Sequence, residues 1–162
     1  LDLSDLFRAS LAKPGTLVAW SDELELSQRY LSIEQYRLGD RLQLDWQIDG
    51  LPADLPIPQL TLQPLLENAL IYGIQPRIDG GMVSIKGEYT EGVFQLCVSN
   101  PCDPLAEQQP SRGTHQALAN IEARLTALFG PNASLSVDRR DGRHYTCLRY
   151  PCARLMQEAR AI

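Results

Sequence analysis

A carboxylate and an amide lie side by side at Glu67 and Asn68, within a mostly apolar stretch from Leu62 to Ile74. Read as a helix at about 100° per residue, the stretch has one apolar stripe, with Glu67 flanking it at one edge and Asn68 on another side. An amide at the border of a buried helix costs free energy unless another group pairs with it. On spacing alone, the simplest interpretation is a core helix that carries one solvated asparagine.

The letters of this stretch, L-Q-P-L-L-E-N-A-L-I-Y-G-I, resemble the N-box of LytS/YehU-like sensor histidine kinases, which belong to the GHKL superfamily. The resemblance implies catalytic roles for Glu67 and Asn68, with Asn68 as a ligand of the Mg²⁺ that bridges the ATP phosphates. Magnesium prefers hard oxygen ligands and takes only one or two from protein, so a single amide oxygen suits it. Ile71 replaces the basic residue usual in this motif, and Tyr72 fills its His or Tyr position. Pro64 stands where gyrase-like relatives carry their hydrolytic glutamate, which suits a kinase.

A second motif of the family, D-x-G-x-G, is altered at the end of a predicted strand, where the chain reads Ser99-Asn100-Pro101-Cys102-Asp103-Pro104. The family's aspartate accepts a hydrogen bond from the adenine amino group, and Asn100 occupies its position. No glycine follows, and proline is rigid and has no N–H. Asn100 is therefore expected either to contact adenine through its amide oxygen or to belong to a simple turn.

The third motif is the glycine-rich turn into a late helix, G-x-G-h-G-L-x-N-h-x-x-R-L in the family. The helical half is retained, from Leu118 to Leu125, but His115 and Ala117 replace two glycines. A helix N-terminus still offers N–H groups to phosphate, and His115 is either a surface residue of the lid or a phosphate contact. The nucleotide-binding residues implied by the resemblance are Asn68, Tyr72, Asn100, Gly113, Thr114, His115, Leu118 and Asn120.

Residues 24–42 carry a further resemblance to the same family, with the pattern E-L-x-x-x-x-x-Y-L-x-I-E-x-x-R-F-G-D-R-L. Ser21 is predicted to cap a helix from Asp22 to about Leu38. This helix is apolar on two sides, so we expect it to pack against its own sheet and against a neighbouring helix or subunit. The phosphoacceptor motif of the family is absent, and His115 and His144 lie in other contexts. This chain is therefore expected not to phosphorylate itself.

The elements that must position these motifs follow from periodicity. A short helix is predicted at residues 3–11, a strand at residues 41–48, hairpins at residues 82–100 and 134–150, and helices at the N-box and at residues 114–129. The polar segment of residues 101–112 is predicted to be a lid, and residues 153–162 a weak helix. This order predicts an α+β fold, a two-layer sandwich with a mostly antiparallel mixed sheet covered on one face by helices. The GHKL topology is implied by the resemblance.

The length of 162 residues fits one domain, and the net charge of −5 argues against nonspecific nucleic-acid binding. No apolar run is long enough for a membrane helix. Because the chain begins with Leu1, we expect a fragment of a longer bacterial inner-membrane protein, with this part in the cytoplasm. We divide it into the end of a dimerisation and phosphoacceptor region (residues 1–20), a catalytic domain (residues 21–152) and a tail (residues 153–162).

The four cysteines form two Cys-x4-Cys pairs, Cys97 with Cys102 and Cys147 with Cys152. Four intervening residues exceed the usual zinc spacing, and Cys97 and Cys147 lie in predicted strands. We expect structural, reduced thiols; a metal site or a disulfide is the alternative.

Two functions are compatible with these features. In the first, the chain is the ATP- and Mg²⁺-binding domain of a histidine kinase, and its departures from the motifs are most similar to the AlgZ/FimS type. Its partners would be its own phosphoacceptor helix in a homodimer and a LytTR-type response regulator, with no direct contact to nucleic acid. In the second, the chain is a degenerate ATPase-like module that acts by protein contact. Asn68 favours the first function, and Ile71 and the lost glycines favour the second.

Overall fold

The computed structural model describes residues 16–103 and 112–161, except for the side chains of residues 112–115. The predicted helix at residues 3–11 and most of the predicted lid lie outside the described residues. The elements in chain order are β1 (Leu17–Ala19), α1 (Trp20–Leu38), β2 (Leu42–Gln47), β3 (Pro56–Pro58), α2 (Leu62–Ala69), β4 (Gly81–Thr90), β5 (Val93–Pro101), α3 (Arg112–Phe129), β6 (Ser134–Arg140), β7 (Arg143–Pro151) and α4 (Ala153–Arg160). No described helix is long and apolar enough to cross a bilayer.

The main sheet has five strands in the order β2, β4, β5, β7, β6. Strands β2 and β4 are parallel, and all other neighbours are antiparallel. Both predicted hairpins are present, as β4–β5 and β6–β7. A separate two-stranded antiparallel sheet joins β1 to β3. The predicted α+β fold with a mostly antiparallel mixed sheet is confirmed.

The two faces of the main sheet differ in burial because side chains alternate along each strand. On the covered face, Ile85, Phe94, Leu96 and Leu148 are completely buried. Aromatic rings tie this face to the helices: the centroid of Phe94 lies 5.7 Å from that of Trp20 in α1. On the opposite face, here called the open face, the alternate residues of β4 and β5 are mostly polar and half-buried or exposed.

Helix α1 begins at Trp20, and Ser21 is not its N-cap. The N-cap is Ala19, without a side-chain cap. Instead, the first N–H groups of the helix reach the loop before β3: Trp20 donates to the carbonyl of Leu55 (2.8 Å) and Ser21 to that of Ala53 (3.0 Å). Backbone carbonyls from another segment thus satisfy the donors that a capping side chain would otherwise satisfy, and the predicted cap at Ser21 is wrong.

The expectation of four reduced structural thiols is also wrong for two of them. Cys97 and Cys147 are directly opposite on β5 and β7 and form a disulfide. Cys102 and Cys152 are not part of this disulfide. Their neighbours Leu96 and Leu148 lie on the covered face, so both bonded cysteines lie on the open face, where they are half-buried. Among the described residues, no three His, Cys, Asp or Glu side chains are grouped as metal ligands.

Candidate functional site

Helix α2 presents Glu67 and Asn68 at its border, and its predicted apolar stripe is buried. Glu67 is half-buried and accepts a hydrogen bond from Gln63 Nε2 (3.0 Å), one helical turn earlier. Asn68 is also half-buried, and its Nδ2 atom is buried without a hydrogen-bond partner among the described residues. A buried polar atom without a partner is uncommon in folded proteins and often marks the place of a ligand or water.

The helix widens after Ala69, into a π-turn over Leu70–Ile74. The N–H of Gln75 donates to the carbonyl of Leu70 (2.8 Å), which is an i to i+5 hydrogen bond. Such π-turns within helices frequently occur at functional sites. The turn places Tyr72 at the surface, where 44% of it is exposed.

Asn100 packs against this π-turn. A Cβ added at Gly73 would lie 2.4 Å from Asn100 Nδ2, so only glycine allows this approach. Asn100 is 7% exposed, and its Nδ2 donates to the carbonyl of Pro101 (2.8 Å). The end of β5 is therefore in direct contact with the turn that carries Tyr72. This contact uses the amide nitrogen of Asn100, whereas adenine recognition would need the amide oxygen.

The N-terminal end of α2 is held by Glu23 of α1. The carboxylate of Glu23 accepts hydrogen bonds from the backbone N–H groups of Leu60 (2.7 Å), Thr61 (3.2 Å) and Leu62 (3.1 Å). It thus caps α2 from another helix and complements the positive end of the helix dipole. Burial raises the pKa of the Glu23 carboxyl, and the three N–H donors and the positive charge of Arg124 oppose that rise.

Arg124 of α3 holds the same turn from the other side. Its guanidinium donates to the carbonyls of Gln59 (2.7 Å) and Leu60 (3.0 Å). Leu60 has a φ of 59°, which is unfavourable for a leucine and persists only where the surroundings enforce it. Glu23 binds the N–H of Leu60 and Arg124 binds its carbonyl, so the two charged side chains enforce this backbone conformation together.

The C-terminal end of the N-box segment is held by Arg41, which follows α1. Its Nη2 donates to the carbonyls of Gln75 (3.0 Å) and Arg77 (2.8 Å). A cation at the carbonyl end of a helix is again favourable for the dipole. The backbone of Gly80 approaches this residue so closely that a Cβ there would lie 1.9 Å from the carbonyl oxygen of Arg41. Charged residues at the two ends of α1 therefore fix the two ends of the segment that carries Asn68.

The remaining predicted site residues lie on α3. Leu118 is half-buried against the core, whereas Asn120 is exposed. Gly113, Thr114 and His115 belong to the first turn of the helix, which begins at Arg112 rather than at Thr114 as predicted. Their side chains lie outside the described part of the chain. The described residues thus bring Asn100 and Tyr72 to one π-turn next to Asn68.

The positioning roles of Glu23, Arg41 and Arg124 were not predicted from the sequence. Arg41 and Arg124 lie within the matched motifs, but the sequence indicates no partner for them, and Glu23 lies just before the matched residues 24–42. Their partners are backbone groups 33 to 65 positions away. The available signal was a charged residue on a helix face that also carries core residues, such as Arg124 beside Ile121 and Leu125.

Residues 1–42 match the histidine kinase family. The chain is 31% identical over 143 residues to the sensor histidine kinase BtsS of Escherichia coli K12. This match covers 83% of the chain and 24% of BtsS. The chain is also 29% identical over 154 residues to the sensor protein LytS of Oceanobacillus iheyensis. This match covers 87% of the chain and 26% of LytS. The chain thus spans about a quarter of the length of these relatives.

Solved structures show the same fold. The catalytic domain of the histidine kinase ThkA superimposes with a TM-score of 0.61 at 12% identity, over 84% of this chain and 95% of that domain. Full-length ShkA, solved in complex with AMPPNP, superimposes with a TM-score of 0.59 at 15% identity, over 90% of this chain and 33% of ShkA. The chain is thus similar in sequence to part of these sensor kinases, and it shares the fold of histidine kinase catalytic domains.

Proposed function

We propose that residues 21–152 bind ATP with Mg²⁺ and transfer its γ-phosphoryl group to a histidine outside this chain. Residues 1–20 would end the phosphoacceptor region of a homodimer, and residues 153–162 would form a tail. The similarity to BtsS and LytS supports a two-component sensor, and the AMPPNP complex of ShkA supports a nucleoside triphosphate as the phosphoryl donor.

In the whole protein, the phosphoryl group would pass on to a LytTR-type response regulator, and membrane segments outside this chain would leave the domain in the cytoplasm. The altered residues at Pro101, His115 and Ala117 favour the AlgZ/FimS type within the family.

The proposal rests on the buried Nδ2 of Asn68, which has no hydrogen-bond partner within the described part of the chain. An amide has an oxygen that can coordinate a hard cation and an NH₂ group that can donate to a phosphate oxygen, so this residue fits Mg-ATP at both ends. Bound Mg²⁺ would neutralise charge on the phosphates, since catalysis of phosphoryl transfer is mainly positioning and electrostatics. The chain contributes the positioning, because Glu23 and Arg41 hold both ends of the segment. Glu67, which directly precedes Asn68, adds a half-buried carboxylate.

Isothermal titration of the chain with ATP, with and without Mg²⁺, tests the proposal. We expect Mg²⁺-dependent binding that Asn68→Asp and Asn68→Ala abolish while circular dichroism remains unchanged. Asn132→Ala, which removes an exposed asparagine from a turn after α3, serves as the matched control and should bind as the wild type does. If Asn68→Ala binds ATP-Mg²⁺ as tightly as the wild type, the metal role of Asn68 is wrong.

A degenerate, nucleotide-poor module that acts by contact with a partner kinase or the response regulator is the second candidate, and the start of α3 favours it. Residues 113–117 are helical, and only the first four N–H groups of a helix lack intrahelical partners. The N–H groups of Gln116 and Ala117 are therefore used within the helix and are not available to phosphate. Under this alternative, a folded wild type binds ATP poorly, and His115→Gly with Ala117→Gly tightens binding because it loosens this turn.

A further inference from the structure

One transverse row of side chains crosses the open face of the main sheet. Strand register places its members opposite one another on β2, β4, β5, β7 and β6, in the order Gln47, Lys86, Cys97, Cys147, Ser136. The disulfide occupies the centre of this row and is half-buried, while the other three residues are exposed. The bond is therefore open to solutes from the side of the molecule opposite the helices.

The disulfide lies in a groove of about 610 Å³ whose charged lining is mostly basic. Lys86, Arg140 and Arg143 line the groove, and Glu88 is the one acidic residue among the described residues that line it. Arg143 is held in place by donating to the carbonyl of Met82 (2.8 Å) and to Ser99 Oγ (3.0 Å). Because the chain as a whole has a net charge of −5, this groove is a local site of attraction for anions.

The strands that the disulfide joins are paired without it. The β5–β7 ladder runs continuously from Val93 opposite Pro151 to Pro101 opposite Arg143. The bond therefore adds a covalent link where backbone hydrogen bonds already hold the strands. It can open and close without separating them, which is a requirement for a reversible site.

We propose that Cys97–Cys147 is a reversible thiol–disulfide site whose reductant is a small anionic thiol of the glutathione class, bound in the basic groove. The thiolate of one reductant molecule attacks Sγ of Cys147, the S–S bond breaks, and Cys97 leaves as the thiolate. A second reductant thiolate then attacks the reductant sulfur of the mixed disulfide and releases Cys147. The products are one oxidised reductant disulfide and two cysteines, which take up the two protons that the reductants lost.

The cations beside the pair decide which cysteine leaves. Lys86 is the direct register partner of Cys97, so their Cβ atoms are about 4.5–5.5 Å apart. The cation on the other side is Arg149, which lies two residues along β7 from Cys147 and hence about 7 Å away. A nearby cation stabilises a thiolate, and the more stable thiolate leaves faster. Cys97 is therefore the leaving group and Cys147 the sulfur that is attacked.

Thiol counting and exchange kinetics on the whole chain test this site, and neither depends on nucleotide binding. When the chain is equilibrated with glutathione disulfide and then denatured, two of its four cysteines should react with a thiol reagent. When it is equilibrated with glutathione instead, all four should react. At low salt, glutathione should reduce the bond faster than the cationic thiol cysteamine when both rate constants are corrected for the fraction of thiolate. Added salt should narrow the difference between the two rate constants.

Charge variants provide the matched comparison. Lys86→Gln should slow reduction by glutathione about threefold, the factor for one unit charge about 6 Å away in water. Arg154→Gln, which removes the same charge from exposed α4, should leave the rate unchanged. Four reactive cysteines after glutathione disulfide would overturn the proposal, as would a rate that is insensitive to Lys86. A larger effect of Arg149→Gln than of Lys86→Gln would overturn the assignment of Cys97 as the leaving group.

Discussion

At the scale of single residues, a buried donor without an acceptor weakens a fold by about 1–3 kcal/mol, and Nδ2 of Asn68 is such a donor among the described residues. In the absence of nucleotide, we expect Asn68→Ala to leave the free energy of unfolding unchanged or to raise it by up to about 1 kcal/mol, because alanine also favours the helix. With ATP and Mg²⁺, the wild type should gain stability and the variant should not. Urea unfolding with and without ligand measures both effects.

A different outcome would change the role of this residue. If Asn68→Ala lost more than about 1.5 kcal/mol without ligand, the amide would be held by contacts inside the domain. Such a loss would argue for a structural asparagine and against a ligand site.

The imidazole of His144, which lies opposite Asn100 on β7, should make stability depend on pH. Burial lowers the pKa of His144, and the charge of Arg139 lowers it further. The folded state then binds fewer protons than the unfolded state just below the ordinary pKa of about 6.5. The contribution of His144 to stability is therefore complete above that pKa and is lost as pH falls below it, through the lower pKa of the folded state.

The measurement is the difference between the wild type and His144→Gln. Between about pH 7.5 and 5.5, the free energy of unfolding should fall more steeply with decreasing pH in the wild type. Glu23, whose pKa is raised, contributes the opposite slope above its ordinary pKa and cancels in this difference. Equal slopes in the two proteins, or an NMR titration of His144 at or above the ordinary value, would contradict the prediction.

At the scale of elements, the cap that α1 supplies to α2 should matter more than any surface charge on α1. Glu23→Gln retains the shape of the side chain but faces the three N–H groups with an NH₂ group in place of one oxygen. We expect the free energy of unfolding to fall by about 1–3 kcal/mol. Glu25→Gln makes the same chemical change two residues away, where an exposed carboxylate pairs with Arg29, and should change stability by less than about 0.5 kcal/mol.

Equilibrium urea unfolding of the two variants tests the cap directly. If both variants lose the same stability, the hydrogen bonds of Glu23 to residues 60–62 do not stabilise the start of α2. If Glu23→Gln also weakens ATP-Mg²⁺ binding, while Glu25→Gln does not, the cap also positions Asn68.

The elements that sequence could predict are those whose signal is local. The alternation of apolar residues in β4 and β5, with the turn at Glu91-Gly92 between them, gave a hairpin that is present in the structure. The apolar stripe of α2 is buried as predicted. Both features depend on contacts between residues that are close along the chain, so a period of 2 or of 3.6 residues is enough to predict them.

The elements that sequence could not predict depend on distant partners. Strand β3 contains two prolines and has no alternating apolar pattern, and its partner is β1, about 40 residues earlier. The π-turn at Leu70 has no local signal, because it is stabilised by Arg41 and by packing against Asn100. The disulfide required the register of β5 with β7, and the expectation of reduced thiols had no information about that register.

At the scale of the whole molecule, the disulfide spans 50 positions and encloses α3, β6 and the segment between β5 and α3. A cross-link restricts the unfolded chain, and the chain-entropy account gives about 4 kcal/mol for a loop of this length. Because the β5–β7 ladder remains, reduction should not alter the folded state. The effect should therefore appear as a change in stability, without a change in circular dichroism at low temperature.

Reduction of the wild type should accordingly lower its melting temperature by about 10 °C, the shift expected for about 4 kcal/mol in a domain of this size. Differential scanning calorimetry with and without a phosphine reductant measures it. Cys97→Ser with Cys147→Ser should melt at the temperature of the reduced wild type and should not respond to the reductant, whereas Cys102→Ser should behave as the wild type does, since Cys102 is outside the bond. A wild type that melts at the same temperature in both conditions would show that the cross-link adds no stability, and the entropic argument for this loop would be wrong.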